Sequence, residues 1–69
     1  MNDKVFKSLL KNKKANAYIN TINTKIRVHN LEINQWMIEA VYMAIIYLCE
    51  GRAITMFQND YEIIFWYDN

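Results

Sequence analysis

Between Leu31 and Glu50 the chain reads LEINQWMIEAVYMAIIYLCE, and the only glycine, Gly51, follows directly. Apolar side chains recur there at spacings of three and four, which predicts one long central helix over residues 31–50. Asn30 is the expected N-cap, and Gly51 the expected left-handed residue after the C-terminus. On a helical wheel Ile33, Met37, Ala40, Val41, Ala44 and Leu48 share one face. Trp36, Met43 and Tyr47 flank it on one side, Ile38 and Ile45 on the other. Glu32, Gln35, Glu39 and Glu50 form a narrow polar stripe, shared with Tyr42 and Ile46. A surface helix ordinarily shows an apolar arc a little over ~100° wide. This one spans roughly twice that, more than one face of a three-stranded sheet can cover.

Upstream, Ile22, Thr24, Ile26 and Val28 alternate with Asn23, Lys25, Arg27 and His29. Period two with β-branched residues predicts a half-buried strand, taken from about 18 to 29. Before it, Val5, Phe6, Leu9 and Leu10 form one stripe and Lys4, Lys7, Lys11 and Lys14 another, which predicts a short helix over residues 3–14 capped by Asn2 or Asp3. Downstream, RAITMFQ (52–58) and YEIIFWYD (61–68) flank Asn59-Asp60, a pair suited to a two-residue type I′ turn with Gln58 opposite Tyr61. In that hairpin Ile54, Met56, Ile63, Phe65 and Tyr67 share one face. Ala53, Thr55, Phe57, Ile64 and Trp66 share the other. Both faces are apolar, whereas a sheet with one wet face alternates apolar and polar.

The expected architecture is therefore a small single α+β domain over 1–69, in the order α-β-α-β-β. A three-stranded antiparallel sheet, including the C-terminal hairpin, packs on the central helix. Sixty-nine residues bury only about 60% of the surface that an unfolded chain exposes. Domains this small commonly add disulfides, a metal or a second subunit. Cys49 is the only cysteine and His29 the only histidine, so an internal disulfide is excluded and neither a metal site nor a cofactor is expected. A composition of 54% hydrophobic residues points to a packed chain rather than a disordered one. No signal peptide or 18-residue apolar span is read in it, so the expected location is the cytoplasm. Abundant Asn, Ile, Lys and Tyr suggest an AT-rich source, a low-GC bacterium or its phage.

Charge divides the chain. Residues 1–30 hold seven basic side chains and one acidic; residues 31–69 hold one basic and six acidic. Such asymmetry signals partners. Lys4, Lys7, Lys11, Lys13, Lys14, Lys25 and Arg27 are candidate phosphate contacts. Glu32, Glu39, Glu50, Asp60, Glu62 and Asp68 are candidate contacts to a basic partner.

Nothing in the sequence carries a reaction. Ser8, Cys49 and His29 have no nucleophile–base context, and a single glycine leaves no phosphate-binding loop. No catalytic residue and no small-molecule substrate are expected. The surplus of apolar and aromatic side chains points instead to association, with Trp36, Tyr42, Ile46, Phe57, Ile64 and Trp66 as the expected interface. The expectation is a non-enzymatic protein–protein interaction module that binds a protein partner and forms a homodimer. A small phage or mobile-element inhibitor of a host complex, such as an anti-CRISPR protein, has this character. The alternatives are a nucleic-acid-binding accessory protein using the basic N-terminal helix and a membrane-surface protein using the same helix.

Overall fold

The computed structural model describes residues 12–68. Among them are helix α1 (Lys13–His29), helix α2 (Gln35–Leu48) and strands β1 (Ile54–Gln58) and β2 (Ile63–Tyr67), which pair as one antiparallel hairpin. The class is α+β as expected, but with two strands and not three. The helix expected over 3–14 falls largely outside the described residues, and Lys13 and Lys14 open α1.

The expected strand 18–29 is helix, and the reason is visible in its side chains. Ile22 and Ile26 are four apart, so they satisfy a period of two and a period of 3.6 equally. Extending the helical period backwards adds Ile19 and Ala15. Ala15, Ile19 and Ile26 are buried, with Tyr18 and Ile22 packed beside them. The helix leaves Thr24 and Val28, which supported the alternation, outside the core; Val28 is 66% exposed. Four aligned core residues outweigh one solvated valine.

The ends of α1 are set by asparagines. Asn12 accepts a hydrogen bond from the Ala15 N–H at 2.9 Å as N-cap. Asn30 closes the helix in the left-handed conformation, φ 50° and ψ 48°, and its N–H and that of Leu31 both donate to the Ile26 carbonyl. Asn30 is thus the end of α1 and not the start of α2. The second helix begins four residues later, where Asn34 accepts from the Met37 N–H at 2.9 Å. At its C-terminus the Glu50 N–H donates to the Tyr47 carbonyl and the Gly51 N–H to that of Ile46, the paired bonds of a Schellman motif. Glu50, at φ 56°, takes the left-handed position expected of Gly51, which is itself left-handed at φ 79°.

The hairpin register also differs from expectation. Gln58 faces Ile63 and Ile54 faces Tyr67, so Asn59 to Glu62 form a four-residue loop. A type I′ turn needs positive φ at both central residues, and neither Asn59 nor Asp60 has it. Asn59 instead accepts from the N–H groups of Tyr61 and Glu62 at 2.8 and 3.0 Å. The slip is two residues, which leaves every side chain on its expected face.

Both helices lie against one face of the hairpin. Phe65, Ile45 and Ile63 are fully buried at the centre, with Val41, Ile54, Cys49 and Tyr67 around them. On α2 the buried side is turned from the expected one. Ile45 is fully buried while Ala40 is exposed, because burying the larger side chain removes more apolar area from water. Asn23 takes the place of a third strand. Its amide donates to the Ile63 carbonyl and accepts from the Ile63 N–H, both at 2.8 Å. One side chain thereby pairs the edge of β2 as a neighbouring strand would.

Candidate interaction surfaces

Among the described residues, two apolar surfaces are wholly or partly exposed. The first is the outer face of the hairpin, away from the helices. The register places Phe57 opposite Ile64 and Thr55 opposite Trp66. Phe57 is 54% exposed, and Ile64 and Trp66 are half-buried. Acidic groups stand at both ends: Asp60 and Glu62 in the loop, and Asp68, which accepts a hydrogen bond from the Thr55 hydroxyl, at the other.

The second surface is on α2. Trp36, Ala40, Met43 and Tyr47 are spaced by four, three and four residues, so they form one stripe on the side opposite Val41 and Ile45. All four are exposed, Trp36 at 83%, Met43 at 67% and Tyr47 at 82%. Glu39 runs along one edge, held by the Gln35 amide at 3.2 Å. Lys14 reaches the same region from α1 and lines a hollow with Ile46, Tyr47 and Glu50.

The six expected interface residues divide between these surfaces. Trp36 and Tyr42 are exposed on α2; Phe57, Ile64 and Trp66 lie on the outer hairpin face; Ile46 is half-buried and packs against the core. Met43 belongs with Trp36 to a flank of the helix that the sequence already shows to need cover, whereas Tyr47 is an addition to the expected interface. Its signal was present in the spacing from Trp36, but it awaited knowledge of which side of α2 is buried.

Of the acidic set, Glu32, Glu39, Glu50, Asp60, Glu62 and Asp68 are all exposed. Asp60 and Glu62 share a cleft of about 410 Å³ with Arg27 and Asn30, at the junction of α1 and the hairpin loop. Asp60 also lines a neighbouring hollow with Glu32. Of the basic set, Lys4, Lys7 and Lys11 lie outside the described residues, and with them the lysines on which the membrane-surface alternative leaned. Lys13 and Lys14 at the start of α1 are separated from Lys25 and Arg27 near its end by about 18 Å of helix.

Cys49 and His29 occupy ordinary places. Cys49 is buried in the core and His29 is exposed at the end of α1. The Asn12 amide donates to the Leu48 carbonyl at 3.0 Å and approaches the Cys49 sulfur at 3.7 Å, joining the start of α1 to the end of α2. Tyr67 completes this joint. Its ring meets Phe65 edge-on at 6.3 Å, and the Arg52 guanidinium sits 4.0 Å above it. Burial pushes the Tyr67 hydroxyl above its ordinary pKa; the Asn12 side chain pulls the other way, the Cys49 thiol adds to the rise, and Arg52 opposes it.

Among the described residues no three of His, Cys, Asp and Glu are grouped to hold a metal ion, and no helix is long and apolar enough to cross a membrane. Compared with known protein families, curated proteins and solved structures, the chain matches none.

Proposed function

We propose that the chain is a non-enzymatic protein–protein interaction module whose outer hairpin face docks on a larger protein. The observation that supports this reading is the row of exposed Phe57 and half-buried Ile64 and Trp66 on the outer face of a hairpin whose other face is already filled by the helices. Aromatic side chains on an open apolar patch are the usual anchors of an interface. Asp60, Glu62 and Asp68 at its two ends suit a partner whose apolar site is ringed by basic side chains. A nucleic-acid-binding groove on a host protein has that character, which is why inhibition of a host nucleoprotein complex, as an anti-CRISPR protein does, is the narrower form of the proposal.

Affinity capture with the full chain from a bacterial host, followed by titration of the captured protein after purification, tests it. Phe57→Glu, at an exposed position that leaves the core intact, is expected to weaken the purified interaction at least tenfold. Equal affinity of the two chains would overturn the assignment of this face.

The second reading, nucleic-acid binding, draws on Lys14 and Lys25. They are exposed and eleven residues apart, so they lie on the same side of α1. It requires affinity for DNA or RNA that falls steeply with salt and with Lys14→Glu. No binding at low salt would remove it.

A further inference from the structure

We infer that the α2 stripe is the seam of a homodimer, in which two copies of α2 pack antiparallel about a two-fold axis between Ala40 and Met43. The inference rests on the interaction-module reading only in leaving the hairpin face to a foreign partner. Three features of the stripe select a second copy as its occupant.

The first is its spacing. Trp36, Ala40, Met43 and Tyr47 follow one another at four, three and four residues, a pattern that reads the same in both directions. An isologous contact requires a surface complementary to itself after a two-fold rotation. With the axis midway along the stripe, each Trp36 meets the partner's Tyr47 and each Ala40 meets the partner's Met43. The small side chain faces the flexible long one, so the axes can approach to the 8–10 Å of packed helices. The aromatic pairs close the two ends.

The second is area. A fully exposed aromatic side chain presents roughly 150–250 Å². With Trp36 at 83%, Tyr47 at 82% and Met43 at 67% exposed, the stripe offers on the order of 500 Å² per copy. Pairing two copies buries about 1,000 Å², the size at which a specific interface begins. A stripe this short meets that threshold against an identical helix without further elements.

The third is charge. Glu39 lies along one edge of the stripe toward its N-terminal half. Lys14 stands near its C-terminal end, in a hollow with Ile46, Tyr47, Leu48 and Glu50. An antiparallel pair about such an axis keeps like edges together and opposes their ends. Each Glu39 therefore lies toward the end of the partner helix where Lys14 stands beside Glu50, twice per dimer. A parallel pair would set Glu39 against the partner's helix at its own height and gain neither approach.

Sedimentation equilibrium of the full chain between about 1 μM and 1 mM tests the seam. The chain of 8.3 kDa is expected to reach twice that mass as concentration rises. Ala40→Lys and Met43→Glu, both at exposed positions, should each raise the dissociation constant at least tenfold while leaving the circular dichroism unchanged. An equimolar mixture of the Ala40→Lys chain with the Met43→Glu chain should recover the dimer, because the two-fold axis sets the new lysine opposite the new glutamate. A wild-type chain that stays monomeric throughout would overturn the inference, including the case in which residues 1–11 cover the stripe and shift Trp36 fluorescence to the blue. So would a dimer that survives both single substitutions. Phe57→Glu separates the two readings: it should leave the dimer intact, so its effect on the foreign partner reports the hairpin assignment alone.

Discussion

Helices α1 and α2 lie side by side on the same hairpin, yet they complete their burial to different degrees. α1 carries its apolar residues at Ala15, Ile19, Ile22 and Ile26, and this stripe is matched to the core that it meets. The one polar residue on that side, Asn23, spends both halves of its amide on the backbone of Ile63. The rest of α1 is polar apart from Ala17, Val28 and Tyr18, which packs beside the core. α2 has Val41 and Ile45 in the core and a second apolar stripe, Trp36 to Tyr47, pointing the other way. Among the described residues the fold thus satisfies α1 and leaves half of α2 without a neighbour. Exposed apolar patches of this kind are where interaction sites are usually found, and the proposed dimer seam uses this one.

That contrast can be broken most forcefully in the core. Ile19→Ala on α1 is expected to cost about 3 kcal/mol in denaturant unfolding, through lost transfer energy and a cavity. Trp36→Ala on α2 removes a larger side chain but should stay within about 0.5 kcal/mol when measured at a concentration where the chain is monomeric. A comparable loss for both would mean that the α2 stripe is covered within one chain.

The amide joint gives the next effect. Asn23→Ala leaves the buried N–H and carbonyl of Ile63 without partners, a cost of about 2–3 kcal/mol. Hydrogen exchange at the Ile63 amide should accelerate by the corresponding factor. An unchanged exchange rate would show that α1 is held by its isoleucines alone.

Tyr67 sharpens the comparison where α1 and α2 meet. Burial raises its pKa in the folded chain above the ordinary tyrosine value of 10.0. Above that pH the unfolded chain has lost the proton while the folded chain still holds it, so stability falls as pH rises. The contribution is complete below about pH 10 and is lost through the folded pKa. Tyr67→Phe should flatten that alkaline slope of stability against pH, and a slope equally steep in the variant would exclude Tyr67 as its origin.

The smallest expected effect has the opposite sign. Glu50 occupies a left-handed position, φ 56°, which costs an L-residue roughly 1 kcal/mol. Glu50→Gly relieves it and should raise stability by about 0.5 kcal/mol after its own entropic cost, read as a small upward shift of the melting temperature. A loss would show that the Glu50 side chain contributes more than its backbone costs.

Much of this molecule was legible in the chain. The apolar run around Val41 and Ile45 can only be a helix, since it is too long and too regular at three and four for a strand. The hairpin's two faces follow from side-chain alternation alone, which is why a register error of two residues left them correct. The surplus of apolar surface was also apparent before any contact was known. Tertiary structure decided the remainder. Ile22 and Ile26 fit either period, and only packing with Ala15 and Ile19 against α2 and β2 resolves them as helix. Asn23 was legible only as a polar residue between strand positions, because its partner lies forty residues away. Which side of α2 faces inward depends on what sits beside it, and no local pattern encodes that neighbour. Periodicity determines which residues share a face; the neighbour that covers that face, or leaves Trp36, Met43 and Tyr47 in water, is set only when the elements pack.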